Sequence, residues 1–363
     1  MYTKLHALRG VAACLVILFH STFSIASKSQ PIVSNFYLFV DLFFVISGFV
    51  MSHAYSEKIS SGMRFGRYIG LRFARLYPLH AIMLVVWVVF VLCRQVLYDQ
   101  GFGGTNQFDE NNSRSLIANI LLLHAMGVTD SLSWNQPSWS ISAEFYTYIV
   151  FFLTTRFLDR SRSPVLPLLV TVTFYGYLFC VKRVGSLDLT YDYGFIRCLP
   201  AFYLGVFLYR VRDAIGRQLV AWRMHCAEIV VVTLTLLCLS LARESRVALM
   251  AAPVCFGGML AVFSCSQDGW IGRALRQRWM ESLGEWSYSI YMTHKIILVC
   301  AANVVEFVLH IDPRQPFGLL SPLINVALVA IVIAVSRFTY AHIERKGKAV
   351  VVALLDRRLP STA

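Results

Sequence analysis

Residues 8–27, LRGVAACLVILFHSTFSIAS, form an apolar run with a cation at its start and an imidazole towards its end. Between Arg9 and His20 the only other ionisable group is the thiol of Cys14. At about 1.5 Å per helical residue, Arg9 and His20 lie about 16 Å apart along the helix axis. Ionisable side chains at such a depth usually line a pathway or a site. The stretch therefore predicts a transmembrane helix that carries a functional centre.

The composition extends this prediction to the whole chain. Hydrophobic residues make up 57% of the 363 residues, charged residues make up 15%, and the mean hydropathy is +0.61. Soluble domains contain about 25% charged residues. We therefore predict an all-α polytopic transmembrane helical bundle in a lipid bilayer, with about ten spans. The predicted spans lie near 8–27, 33–54, 76–96, 140–157, 163–181, 193–209, 225–242, 247–265, 286–308 and 320–340.

Lysine and arginine are unevenly distributed over the loops of this arrangement. If the N-terminus is cytoplasmic, the inner segments hold 23 of the 33 Lys and Arg residues, as the positive-inside rule expects. Both termini are then predicted to be cytoplasmic, with the bundle in an inner (plasma) membrane. The net charge of +13 needs no nucleic-acid partner, because no soluble basic surface is predicted.

Two segments lie outside the ten spans. Residues 116–128 are apolar but too short to span comfortably, and are predicted to form a re-entrant or surface-lying helix on the outer side. Residues 346–363 are predicted to be a short cytoplasmic tail after a single membrane domain, 1–345. The nine cysteines show neither metal-site spacing nor a disulfide framework, so no metal is predicted.

Short motifs place polar residues inside the spans or at their ends. In the second span, FVDLFFVISGFVMS (39–52) is interrupted by Asp41, Ser47 and Gly48, and RFARLYP (72–78) lies at the inner end of the third span. The fourth opens with PSWSISAEFYTY (137–148) and the ninth with LGEWSYSIYMTH (283–294). A weaker motif, YAHIE (340–344), follows the last span.

In this order and spacing the motifs resemble the acyltransferase-3 family of integral membrane acyltransferases, which includes O-acetylases of O-antigen, exopolysaccharide and nodulation factors. The resemblance extends from about Leu5 to Glu344. This chain departs from many members at Leu71, where they have a second Arg, and at Arg345-Lys346, where they have Pro. The family patterns fall on Arg9 and His20 (a basic residue, ten residues, His), on Arg72 and Arg75 (RxxR), and on Trp139, Ser140 and Glu144 (Trp-Ser-x-x-x-Glu).

The resemblance implies transfer of an acetyl group from cytoplasmic acetyl-CoA to a hydroxyl of a cell-surface or lipid-linked glycan. His20 is then the candidate general base or a transient acyl carrier. The structural alternative is a histidine that bonds a backbone carbonyl or Asp41. Arg72 and Arg75, with Arg9, are the candidate ligands for coenzyme A phosphates, although an RxxR pair can also be a positive-inside anchor.

Asp41 is predicted to lie at a depth similar to that of His20. A carboxylate there could orient the imidazole, and Asp41 is therefore a candidate catalytic residue. Pairing of Asp41 with Arg94 or Lys295 is an equal alternative.

Glu144 is the candidate that acts on the acceptor hydroxyl, with Trp139 and Ser140 as substrate contacts, because a flat aromatic face suits a sugar ring. In the structural alternative, Ser138 or Ser140 caps the helix and Glu144 lies at its positive end.

The ninth span contributes further candidates for substrate binding, Tyr288, Tyr291 and His294. Ser287, Tyr291 and His294 share one helix face. Polar contact between helices is the alternative role for these side chains.

The main alternative function is a transporter or flippase of lipid-linked glycan, in which intramembrane charges form a substrate path. Such a protein is expected to show inverted repeats, and none is evident in the sequence. A non-catalytic scaffold within a polysaccharide synthase is a weaker option.

Overall fold

The computed structural model describes residues 2–24, 31–102, 104–159, 162–218, 221–313, 317–318 and 320–358. All regular structure in these residues is helical. We number the helices of six or more residues in chain order: α1 Thr3–His20, α2 Phe39–Ser60, α3 Phe65–Asp99, α4 Ser113–Ile120, α5 Trp139–Leu153, α6 Val165–Gly176, α7 Gly194–Gln218, α8 Ala221–Leu241, α9 Arg246–Phe263, α10 Trp270–Leu275, α11 Arg278–Asn303, α12 Leu320–Thr339 and α13 Arg345–Arg358.

Within the described residues, eight helices are long and apolar enough to cross a membrane, which confirms the all-α membrane bundle. They correspond to eight of the predicted spans. The predicted fourth and fifth spans are also helical: α5 continues through a π-helical turn, Thr154–Leu158, and α6 continues to Val181. Residues 25–27 of the predicted first span lie outside the described residues. The ten-span count and the cytoplasmic placement of the termini stay predictions.

Helix α3 begins at Phe65, well before the predicted start of the third span at residue 76. Arginines end an apolar run, but they are good helix formers and do not end a helix. The early turns of α3 pack against α13, where Arg67 Nη1 lies 2.8 Å from Asp356 Oδ1. The described part of the predicted 346–363 tail is therefore a helix docked on α3.

The 116–128 segment does not form a spanning helix. Only the short helix α4 is present, and a capping box at Asn112 fixes its start. The buried His80 of α3 lies with its Nε2 2.9 Å from the carbonyl oxygen of Asn119. This contact holds the segment against α3.

Two close pairs of parallel helices form the centre of the bundle. Helices α1 and α11 meet where a Cβ on Gly10 would lie 2.8 Å from the backbone nitrogen of Gly284. Helices α2 and α7 meet where a Cβ on Gly48 would overlap the carbonyl of Phe202, and one on Gly205 would overlap the carbonyl of Val45. Small residues let helix backbones approach closely in membranes. The glycines thus fix the positions along the two helices of each pair at which their backbones are in contact.

The ends of α1 define two faces of the bundle. The amino-terminal face is where α1 begins, and the His20 face is where it ends. Tyr2 packs edge-on against Phe49 and His53, with ring centroids 5.0 and 5.3 Å away. The carboxyl-terminal half of α2 therefore lies at the amino-terminal face.

We expect Gly48→Ala to destabilise the folded protein by about 1–3 kcal/mol, because the new methyl group overlaps the α7 backbone. The measurement is the thermal unfolding midpoint in detergent. Gly176→Ala is the matched control, since a Cβ at this helical glycine meets no atom within 4 Å. Equal midpoints for the two variants contradict the crossing.

Candidate active site

His20 of α1 and His294 of α11 face each other near the His20 face. Nε2 of His294 lies 3.2 Å from Nδ1 of His20, and the ring centroids are 4.9 Å apart. The two residues are 274 positions apart, the same separation as Gly10 and Gly284. The glycine crossing therefore aligns the histidines ten residues further along both helices.

The hydrogen-bond network assigns the tautomer of both rings. Nδ1 of His294 lies 2.6 Å from the carbonyl oxygen of Tyr291, which can only accept, so this nitrogen carries the hydrogen. His294 is fully buried and neutral, so its Nε2 accepts a hydrogen bond from Nδ1–H of His20. That Nδ1 is also 3.0 Å from the carbonyl oxygen of Val16. His20 therefore presents Nε2 as the nitrogen with the lone pair.

A cavity of about 100 Å³ adjoins His20. Trp139 lies in its wall and is only 6% exposed, with its ring 5.1 Å from the guanidinium carbon of Arg197. The structure thus brings His20 and Trp139 to one cavity. Other lining residues include Tyr37, Val40, Gln136, Asp188, Thr190 and Tyr291.

The predicted role of Asp41 in orienting His20 needs correction. Both Asp41 oxygens accept hydrogen bonds from Arg197, at 3.1 Å from Nε and 2.7 Å from Nη2. Both side chains are 1% exposed. The partner is neither Arg94, whose guanidinium lies over Phe307, nor Lys295. Helix packing determines which cation a buried carboxylate pairs with. The packing of α2 against α7 places Arg197 beside Asp41.

The carboxylate of Glu144 lies on a second, smaller cavity of about 30 Å³, which Arg9 also lines. Glu144 Oε1 accepts hydrogen bonds from Ser47 Oγ and from the Tyr148 hydroxyl, the latter at 2.6 Å. The sequence analysis assigned Glu144 to the acceptor hydroxyl and Arg9 to the donor. The structure places both at one cavity, whose wall includes Val40, Phe43 and Phe44 of α2.

The capping alternative for Glu144 is not formed. Ser138 precedes α5 without capping it, and its hydroxyl lies 3.0 Å from Nε2 of His124. Ser140 Oγ is 3.3 Å from the Pro137 carbonyl oxygen. The carboxylate of Glu144 is held by the two hydroxyls and not by the end of the helix.

The smaller cavity exposes two polar groups that have no partner among the described residues. Arg9 Nε and Ser287 Oγ are both buried and both belong to lining residues. Buried donors without a partner are costly. They suit a ligand that brings an oxygen acceptor into the cavity.

Tyr291 and Val40 line both cavities and separate them. The hydroxyl of Tyr291 donates to the Pro137 carbonyl oxygen at 2.9 Å, which ties α11 to the start of α5. Tyr288 lies on the smaller cavity, and its hydroxyl donates to the Leu76 carbonyl oxygen at 2.5 Å. The predicted α11 candidates thus lie at the site, and His294 contacts His20.

The RxxR arginines lie towards the amino-terminal face and have different surroundings. Arg72 stacks over the Tyr55 ring, 4.4 Å from its centroid, and its Nε is buried without a partner among the described residues. Arg75 forms an ion pair with Glu344, which accepts a further hydrogen bond from Ser289 at 2.7 Å. Arg72 therefore offers a buried nitrogen without a partner among the described residues, and Arg75 is held by a carboxylate.

Two tyrosines connect these arginines to the smaller cavity. The guanidinium carbon of Arg72 lies 5.9 Å from the ring centroid of Tyr148, and that of Arg75 lies 5.3 Å from that of Tyr288. A row of polar side chains thus runs from Arg72 through Glu144 and Arg9 to His20. No cluster in the described part of the chain could hold a metal ion.

The family model described as an acyltransferase domain matches residues 2–340. The chain belongs to the acyltransferase-3 family. The predicted enzyme class, a membrane acyltransferase, is thereby confirmed. The motifs on Arg9, His20, Arg72 and Glu144 lie within the matched range.

Three curated relatives extend this finding. "Protein 2 in picA locus" of Rhizobium radiobacter is 30% identical over 41% of this chain and 80% of its own length. "Putative peptidoglycan O-acetyltransferase YrhL" of Bacillus subtilis is 25% identical over 83% of this chain and 49% of its own, so this chain spans about half of it. "Acyltransferase MdmB" of Streptomyces mycarofaciens is 23% identical over 71% of this chain and 67% of its own length. No solved structure matches the chain.

The structure adds residues to which the sequence reasoning gave no role. Arg197 was visible as an arginine in the predicted sixth span, and Ser47 as a polar interruption of the second. A polar residue in an apolar span does not identify its own partner, because the partners of Arg197 and Ser47 lie on helices distant in sequence.

We expect Asp41→Leu to destabilise the protein by about 3–5 kcal/mol, since it leaves Arg197 buried and unpaired. Adding Arg197→Met should recover most of the loss, because the pair is then replaced by apolar side chains. The measurement is the unfolding midpoint of both variants. An orienting role for Asp41 predicts instead an altered pH–rate profile with an unchanged midpoint.

Proposed function

We propose that this protein is a membrane O-acyltransferase that moves an acetyl group from cytoplasmic acetyl-CoA to a hydroxyl of a cell-surface or lipid-linked glycan. The observation that carries the proposal is the His20–His294 pair in a cavity at one end of the polar row that begins at Arg72. The acetyltransferase name of the B. subtilis relative supports the acetyl group. The positive-inside distribution supports an orientation with the Arg72 end in the cytoplasm, and the proposed location is an inner membrane.

The donor enters at the amino-terminal face in this proposal. Arg72 binds a phosphate of coenzyme A, because its Nε is without a partner and a guanidinium forms charge-assisted bonds with phosphate oxygens. Arg75 is held by Glu344 and keeps the helices in place. The thioester then reaches the cavity of Arg9 and Ser287, whose buried donors can bind its carbonyl oxygen and stabilise the negative charge that develops there.

The acceptor enters at the His20 face. Nε2 of His20 takes the proton of the acceptor hydroxyl, and the hydroxyl oxygen forms an ester bond with the acetyl carbon. The carbon–sulfur bond breaks and the electron pair leaves with the coenzyme A sulfur, which then takes up the proton. His294 acts as a positioning residue, because its neutral Nε2 keeps the hydrogen of His20 on Nδ1.

The acetyl group must pass the wall that Tyr291 and Val40 form between the two cavities. Direct transfer requires movement of the Tyr291 ring, which lines both cavities. A transient acetyl-His20 relay is the other route. Acetyl-protein trapped without acceptor, and lost in His20→Ala, identifies the relay.

Substitution of the two histidines tests the base. We expect His20→Ala to lower kcat by at least about 100-fold, and His294→Phe to lower it by about 10–100-fold with an altered pH–rate profile. The Michaelis constant for acetyl-CoA should not change. His342→Ala is the matched control, because its Nδ1 also lies 3.0 Å from a backbone carbonyl oxygen four residues earlier, but its side chain is exposed. Full activity of His20→Ala contradicts the proposal.

Donor binding provides a separate test. Calorimetry on the purified protein should show acetyl-CoA binding that weakens at least about tenfold in Arg72→Ala, since one charge-assisted contact is lost. Arg114→Ala, at an ion pair whose arginine is 68% exposed, should bind normally. Glycan movement across vesicles without consumption of acetyl-CoA favours the transporter alternative instead.

A further inference from the structure

The cavity beside His20 carries two polar groups that the proposed mechanism does not use. Asp188 and Gln136 both line it. Among the residues that the structure describes, neither the Asp188 carboxylate nor the Gln136 amide has an ion-pair or hydrogen-bond partner. Both face the same space as His20, so they are placed to contact an acceptor.

The position of Asp188 is fixed from both sides in the chain. Two residues before it, Ser186 Oγ accepts a hydrogen bond from the Asp188 backbone N–H and lies 3.0 Å from the Tyr37 hydroxyl. One residue after it, the Leu189 carbonyl oxygen accepts a hydrogen bond from Arg197 Nη1 at 3.4 Å. The backbone on both sides of Asp188 is therefore held by Tyr37, which lies just before α2, and by Arg197 of α7.

The charges that line the cavity do not cancel. Arg197 is neutralised by Asp41 in a pair whose members are each 1% exposed, and His20 acts as a neutral base in the proposed mechanism. Asp188 then contributes the unbalanced charge among the described lining residues. Asp188 is solvent-exposed, so the negative field that it gives the subsite is screened by salt and is strongest at low ionic strength.

We infer that Asp188 and Gln136 form the acceptor subsite, and that it selects a hydroxyl-bearing acceptor that is neutral or positively charged at this position and rejects one with a carboxylate there. This inference rests on the proposed function and specifies its substrate class. A carboxylate accepts hydrogen bonds from sugar hydroxyls or an ammonium group, and the amide both donates and accepts. An anionic group meets repulsion from Asp188, and none of the described lining residues offers it an unpaired cation.

The field of the cavity can be measured without turnover. Gln136→Cys places a thiol in the lining, and its modification rates are compared for cationic trimethylammonium and anionic sulfonate methanethiosulfonate reagents in the full-length protein in nanodiscs. Gln136→Ser, which retains the nine native cysteines, supplies the background rate. We expect the cationic reagent to react faster, and Asp188→Asn to reduce the cation-to-anion ratio about fivefold to tenfold at low salt.

Asp130→Asn is the control for this ratio, since Asp130 is a highly exposed carboxylate that does not line the cavity. It should leave the ratio unchanged. An Asp188→Asn ratio equal to that of the parent contradicts the inference, as does faster reaction with the anionic reagent. Failure of both reagents to reach the thiol also contradicts it, because an acceptor could not then reach the subsite.

Acceptor choice provides the second measurement. Methyl glucoside and methyl glucuronide differ in one carboxylate, and each is supplied with labelled acetyl-CoA to parent and Asp188→Asn protein. The parent should prefer the glucoside, and the preference should fall about fivefold to tenfold in the variant. A glucuronide preference in the parent overturns the inference. Loss of all acetyl-CoA turnover instead contradicts the proposed function, and leaves the thiol measurement to decide the charge of the cavity.

Discussion

The close parallel approach of α1 and α11 is the constraint on which the site depends. It requires glycine at Gly10 and Gly284, because a side chain at either would enter the partner's backbone. Parallel helices keep a constant offset, so the crossing also sets the register of the residues further along. That register brings His294 to within 3.2 Å of His20 and assigns the hydrogen that leaves the lone pair on Nε2. A shift of one residue in the crossing would separate the two rings.

The α2–α7 pair supplies the second half of the site in the same way. Its glycine crossing at Gly48 and Gly205 brings Asp41 to Arg197, and the neutralised arginine then packs on Trp139 and holds the Leu189 carbonyl. Burial of an unpaired charge is costly, so this ion pair ties the two helices firmly. The arginine in the cavity wall is thus neutralised by its partner, and other side chains determine the charge of the cavity.

The sequence predicts the helices and identifies candidate site residues, because both depend on local sequence patterns. The long apolar runs identify eight of the candidate spans, and the spacing of Arg9 and His20 predicts two positions on one helix. The pairings were not predictable in this way. Asp41 could be assigned to any cation at a similar depth, and Glu144 was placed near the acceptor because its depth was counted from the loop alone. Partners on distant helices are chosen by packing, which a single sequence does not show.

In the proposed mechanism, donor and acceptor reach one row of polar residues from opposite faces of the bundle. The most direct test uses vesicles that contain the purified protein and a glycolipid extract. The vesicles are sorted into two populations according to which face of the protein is on the outside. Membrane-impermeant acetyl-CoA is added outside, and release of coenzyme A is measured together with acetylated glycolipid. We expect both products only when the face that carries Arg72 is outside. Formation of the products only when the His20 face is outside, or equally in both orientations, would contradict the proposed mechanism.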